Sequence, residues 1–214
     1  MQTKVVICDD HKIVREGLKQ IISSFNEFEI IADDIASGEA LIGSLRKEVP
    51  DIVVLDISLP GRSGLEVLKQ LKSMHPEIKV LVLSMYPEDQ FAIRMLKAGA
   101  NGYLHKDSAP EVLITALRTI RDGGEYLSPQ ITKLLYREMS NDHTDLPHKT
   151  LSDREYEVLL YIGEGKTISE IAAQLSLNVK TISTYRTRIL DKMNLDNNSD
   201  LVKYIMLHDL AVGS

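Results

Sequence analysis

The stretch VLVLSMYPEDQFAIRMLKAGANGYLHK, residues 80–106, decides the fold. Residues 80–84 are a short apolar run ending in a serine, residues 90–98 repeat apolar side chains at helical spacing, and residues 102–105 form a second short run. A strand, a helix and a strand in so little chain make a crossover unit whose strands must be parallel. Working outward, residues 4–8, 28–33 and 52–56 read as further strands, and residues 11–24, 38–48, 64–74 and 109–122 as further helices. Five strands alternating with five helices specify an α/β fold, a doubly wound parallel sheet. Such a sheet gathers functional groups at the carboxyl ends of its strands, beside the topological switch.

Beyond residue 122 the rhythm changes. Gly123 and Gly124 supply a helix stop, residues 129–139 form a short helix, and SNDHTDLPHKT, residues 140–150, has almost no large apolar side chain and is expected to be an exposed linker. After it only helix signals remain. Ser152 and Glu155 have capping-box spacing, and Ile168, Ile171, Ala172 and Leu175 make a one-sided apolar stripe. Residues 176–178 break that pattern, and further helices are expected over 179–193 and 199–210. The chain of 214 residues is long enough for two small domains. The lone Cys8 cannot form an internal disulfide, no secretory leader pattern opens the chain, and no apolar run is long enough to span a bilayer. A soluble, cytoplasmic protein with no membrane partner is therefore expected. A net charge of −6, from 25 Lys and Arg against 31 Asp and Glu, argues against a protein that coats nucleic acid nonspecifically.

Charge sits at the ends of the strands. Asp9 and Asp10 follow the first, Asp56 ends the third, Ser84 closes the fourth, and Lys106 follows the fifth. One aspartate at a strand end would be an ordinary helix cap. Three carboxylates, a hydroxyl and an ammonium on one sheet edge need charge neutralisation, and clustered hard oxygen ligands suit Mg²⁺.

The order D-D, then V-V-L-D, then L-S, then Y-L-H-K resembles the receiver domain of two-component response regulators, over about residues 1–124. The resemblance implies a five-stranded flavodoxin-like sheet, with Asp56 as phospho-acceptor. It also implies that Asp9, Asp10, Asp56 and the main-chain carbonyl of Ser58 hold Mg²⁺. Lys106 and Ser84 would contact the phosphoryl group, and Tyr103 stands where the family has its switch aromatic. Gly61 to Gly64, GRSG, matches the family's flexible loop behind the acceptor. Met85 departs from the pattern, since a small residue is usual there. His11 carries no assigned chemistry.

From Lys149 onward eight basic residues face nine acidic ones, yet residues 179–193 hold four basic residues and only Asp191 in opposition. On a helical projection Ile182, Tyr185, Ile189, Leu190 and Met193 share one side. Lys180, Thr184, Thr187 and Asp191 lie opposite, with Ser183 and Arg188 on the flanks. Hydroxyls edged by cations can enter a major groove and meet base edges and phosphates. Arg186 projects toward the apolar side, as a phosphate contact or a packing residue. The order L-S-D-R-E-Y-E-V-L, I-S-E-I-A, V-K-T-I-S-T-Y-R-T-R-I-L resembles the LuxR-type domain of the NarL/FixJ response regulators, over about residues 148–214. The resemblance implies an all-α, four-helix helix-turn-helix module. Its third helix would read DNA and its last could dimerise through Leu201, Val202, Ile205 and Met206, unless those residues close the module's own core.

The expected organisation is thus a receiver over residues 1–124, a linker with a short helix over 125–147, and a DNA-binding domain over 148–214. The expected function is a regulator, not an enzyme. A sensor histidine kinase would phosphorylate Asp56, and the phosphorylated chain would bind promoter half-sites as a homodimer. A haloacid-dehalogenase-like phosphatase also uses Mg²⁺ and a nucleophilic aspartate, but it normally has a second aspartate two residues on, where this chain has Ser58. A phosphate-transfer intermediate without output does not explain the tail, and a constitutive DNA binder does not explain the intact acid set.

Overall fold

The computed structural model describes residues 2–139, 146–208 and 210. The chain divides into two compact units, Met1–Arg137 and Glu138–Ser214.

In the first unit the strands are β1 (Thr3–Cys8), β2 (Phe28–Ile35), β3 (Ile52–Asp56), β4 (Lys79–Ser84) and β5 (Gly102–His105). The helices that follow them are α1 (Lys12–Ser23), α2 (Gly38–Ser44), α3 (Gly64–Met74), α4 (Glu88–Lys97) and α5 (Pro110–Arg121). All pairings are parallel, in the order β2-β1-β3-β4-β5. This is the flavodoxin-like order, and its switch point lies between β1 and β3. β3 is buried along its whole length, as a central strand covered on both faces must be. One layer of the core joins Val5, Ile7, Ile52, Val54, Leu81 and Leu83 of the sheet to Leu113, Leu117 and Ile120 of α5. The strand ends are therefore rigid platforms.

Two boundaries differ from the periodic reading. α2 stops at Ser44 rather than running to residue 48. The Ser44 hydroxyl donates to the Leu41 carbonyl at 2.7 Å and Lys47 N–H reaches the Ser44 carbonyl at 2.9 Å, a tightened turn before Pro50, where helix is disfavoured. β2 runs two residues past residue 33 through register shifts against β1, with Asp34 in the left-handed region at φ 56°. After α5, Tyr126 bridges to Gly102, and α6 spans Pro129–Met139. Residues 140–145 of the expected linker lie outside the described residues, and Pro147–Thr150 form a 3-10 turn.

The second unit holds α7 (Asp153–Gly163), α8 (Ile168–Gln174), α9 (Val179–Met193) and α10 (Asn198–Leu207). The capping box at Ser152 and Glu155 is formed, and a second, Thr167 with Glu170, starts α8. The tight turn between α8 and α9 places Ser176 at φ 53° and closes with Leu177 N–H on the Ala172 carbonyl at 2.9 Å. The apolar side of α9 is Ile182, Ile189, Leu190 and Met193, all buried. α10 ends at Leu207, short of the expected residue 210, and Leu210 N–H caps the Ile205 carbonyl at 3.0 Å. Among the described residues, no helix is long and apolar enough to cross a membrane.

Candidate functional site

The switch point brings β1 beside β3, so Asp9 and Asp56 emerge next to each other. Both carboxylates are buried, while Asp10 stands at the exposed lip. Lys106 follows β5 and is held there by its own N–H on the Ser84 carbonyl at 2.8 Å. Its Nζ lies 2.7 Å from Asp9 Oδ2 and 2.7 Å from Asp56 Oδ2. The one ammonium thus serves a buried oxygen of each carboxylate. One ammonium between two buried carboxylates cannot neutralise both. Burial pushes the Asp56 carboxyl above the usual range and Asp9 adds to that, while Lys106 opposes it. Burial pulls Lys106 down, yet the two carboxylates outweigh it and raise it overall.

Asp9, Asp10, His11 and Asp56 each offer a ligand atom, all within 4.8 Å of one another. The surplus negative charge and the mostly oxygen donor set fit a hard divalent cation. Ser58 lies on the same rim, its N–H donating to Asp56 Oδ1 at 3.2 Å.

Ser84 and Tyr103 lie fully buried beside this pocket. The Tyr103 hydroxyl donates to the Tyr86 carbonyl at 2.8 Å, and Tyr86 N–H donates to the Ser84 hydroxyl at 2.9 Å. Burial pushes the Tyr103 hydroxyl up against the opposing hydrogen bond of Ser84. The expected hydroxyl and aromatic thus share one short network. The bulky Met85 turns its side chain outward, and its carbonyl meets His105 Nε2 at 2.9 Å.

The GRSG segment is not loose. Gly61 takes φ 76°, Ser63 caps α3 in a capping box with Glu66, and Gly64 N–H bonds the Ile57 carbonyl at 2.8 Å. A Cβ on Gly64 would stand 2.3 Å from the Asp56 carbonyl oxygen, so only glycine lets α3 approach the end of β3 this closely.

Two residues contribute where sequence reasoning assigned nothing. His11 Nδ1 lies 2.7 Å from Asp10 Oδ1 and 3.4 Å from Asp9 Oδ1, bridging the acid pair. Arg15, one turn into α1, is buried; it donates to the Asp9 carbonyl at 2.6 Å and pairs with Asp34 Oδ1 at 3.1 Å. The D-D-H run was a signal for His11; for Arg15 a lone cation on an amphipathic helix was none.

In the second unit α8 and α9 form a helix-turn-helix. Lys180, Ser183, Thr184, Thr187 and Arg188 are all exposed on one side of α9. Arg186 turns away and donates to Asn198 Oδ1 at 2.5 Å. Lys192 reaches back to Glu155 Oε2 at 2.6 Å and ties α9 to the start of α7. Of the residues considered for pairing through α10, Leu201 and Ile205 are buried in the unit's own core. Ile205 packs there against Gly163, where a Cβ would lie 2.9 Å from it. Met206 is exposed and Val202 half-buried.

Two family models match the chain: the response regulator receiver domain over residues 5–118, and bacterial regulatory proteins, luxR family, over residues 149–205. The oxygen regulatory protein NreC of Staphylococcus carnosus is 35% identical over 210 residues, covering 95% of this chain and 96% of its own. The response regulator UvrY of Escherichia coli K12 is 30% identical over 208 residues, covering 97% and 95%. Among solved structures, RcsB from Salmonella enterica serovar Typhimurium bound to promoter rprA in the presence of phosphomimetic BeF3⁻ has a TM-score of 0.67. It is 26% identical, with 96% of this chain and 99% of that one covered. The chain belongs to the response regulators of two-component signalling that join a receiver domain to a LuxR-type helix-turn-helix, the NarL/FixJ family.

Proposed function

We propose that phosphorylation of Asp56 by a sensor histidine kinase controls binding of this regulator to promoter DNA in the cytoplasm. The observation that carries the reading is one buried ammonium, Lys106, held 2.7 Å from both Asp9 and Asp56 at the sheet's switch point. An Asp56 oxygen attacks the phosphorus of a phosphohistidine; the new O–P bond forms as the N–P bond to the imidazole breaks. Phosphoryl transfer of this kind depends on positioning and charge neutralisation. Lys106 is placed to bind a phosphoryl oxygen, and the Ser58 N–H already points at Asp56 Oδ1. Asp9, Asp10, Asp56 and the Ser58 carbonyl would hold Mg²⁺, which supplies the remaining positive charge when bound. The Ser84 hydroxyl is then drawn toward the phosphoryl group, and the network through Tyr86 to Tyr103 carries that movement to the surface of β5 and α4. The chain acts as a regulator and not as an enzyme on outside substrates.

Residues 1–124 act as receiver, 125–147 as connection and 148–214 as DNA-binding domain. The exposed side of α9 enters the major groove, with Lys180 and Arg188 toward phosphates and Ser183, Thr184 and Thr187 toward base edges. Phosphorylated chains occupy paired half-sites as a homodimer. The test is intact-mass measurement after exposure to a small phosphodonor with Mg²⁺. The parent gains one phosphoryl group and Asp56→Asn gains none; stoichiometric labelling of that variant would sink the assignment. On DNA, Lys180→Ala weakens binding to every sequence, whereas Thr184→Ala changes the sequence preferred. Parent-like binding by both variants at several salt concentrations contradicts the assigned face.

A further inference from the structure

The hydroxyls on the exposed side of α9 have their protons already engaged. Ser183 Oγ donates to the Val179 carbonyl at 3.0 Å, Thr184 Oγ1 to the Lys180 carbonyl at 2.9 Å, and Thr187 Oγ1 to the Ser183 carbonyl at 3.1 Å. A hydroxyl bonded to the preceding turn offers the groove only lone pairs, and each threonine also offers its methyl group. Asp191 continues the same side one turn later, again as an acceptor. Donors are scarce in comparison. Of the four cations on α9, Arg186 is bound to Asn198 and Lys192 to Glu155, which leaves Lys180 and Arg188 at the edges of the strip.

Acceptors paired with methyl groups have one natural complement in the major groove. An A·T pair presents the adenine N6 amino donor between the adenine N7 and thymine O4 acceptors, with the thymine C5-methyl at its edge; a G·C pair also presents one amino donor, on cytosine, and two acceptors, on guanine, but no methyl, so the methyl decides between them. From Lys180 to Thr187 the helix rises about 10 Å, the length of about three base pairs. We propose that the half-site read by α9 is centred on A·T pairs, with Thr184 and Thr187 packing their methyls on thymine methyls and accepting from adenine amino groups. This rests on α9 being the DNA-reading helix.

The test begins with selection of duplexes from a random library by the full-length protein, treated with a small phosphodonor and Mg²⁺. Thymines in the selected half-site are then replaced one at a time by deoxyuridine, which removes only the methyl group. At the contacted position the parent loses about fourfold in affinity, the worth of one buried methyl. Thr184→Ser or Thr187→Ser, whichever faces that thymine, keeps the hydroxyl and becomes indifferent to the replacement. The matching valine variant keeps the methyls and stays sensitive. Both positions are exposed, so folding is not at stake. Selected half-sites in which uracil costs nothing, or in which both serine variants remain sensitive, overturn the proposal while leaving DNA recognition by α9 standing. A library that yields no enriched sequence overturns both.

Discussion

Asp56 occupies an uncomfortable place in the unphosphorylated chain. Its carboxyl is raised first by burial and then by Asp9, against the pull of Lys106, so the folded state binds this proton more tightly than the unfolded chain does. Stability linked to Asp56 therefore falls as pH rises from the ordinary carboxylate range through the raised folded value, and the deficit persists above it. In chelator at pH 7, Asp56→Asn should be more stable than the parent, with the difference shrinking as pH falls from the raised folded value toward the ordinary carboxylate range. Thermal melts of the two proteins across pH check this; a variant less stable at neutral pH contradicts it. Asp9, Asp56 and Lys106 were legible in sequence because strand ends in a parallel sheet must converge. Arg15 was not, because its importance lies in a carbonyl it meets only after α1 has packed, and no spacing encodes that.

At the scale of elements, the segment from β3 to α3 shows what a motif leaves out. GRSG reads as a pliable loop, yet its last glycine is wedged against the backbone of Asp56 and Ile57. Gly64→Ala should cost about 1–3 kcal/mol by overpacking. Because the clash falls on the Asp56 carbonyl, it should also slow phosphoryl uptake more than a cap-removing Ser63→Ala does. Denaturant unfolding and rates of labelling by a small phosphodonor measure the two effects, and equal labelling rates would show the acceptor strand insensitive to the approach of α3. Helix ends were the least legible elements. α2 ends early because the Ser44 hydroxyl competes for a backbone carbonyl, an event of local geometry rather than periodicity. Of the expected inner face of α9, Ile182, Ile189, Leu190 and Met193 are buried while Tyr185 is half-buried at its margin, whereas Leu201 and Ile205 of α10 fit two destinations equally. Both are buried in the unit's core, Ile205 against Gly163.

For the whole molecule, the net charge of −6 is a poor guide to partners, since it averages an acidic pocket in one unit with a cationic helix edge in the other. The two units answer to different chemistry, phosphoryl transfer and groove recognition, and the account joins them by a single covalent event. A phosphoryl group adds about 1.5 to 2 negative charges, enough to rearrange a pocket built around one ammonium and to bias a two-state surface. The decisive measurement is the affinity of the full-length protein for its selected duplex before and after a small phosphodonor with Mg²⁺, in parent and Asp56→Asn. The expected result is a gain of about tenfold in the parent, within the usual range of allosteric coupling, and none in the variant. Equal affinity of the parent in both states, or the same gain in Asp56→Asn, contradicts it.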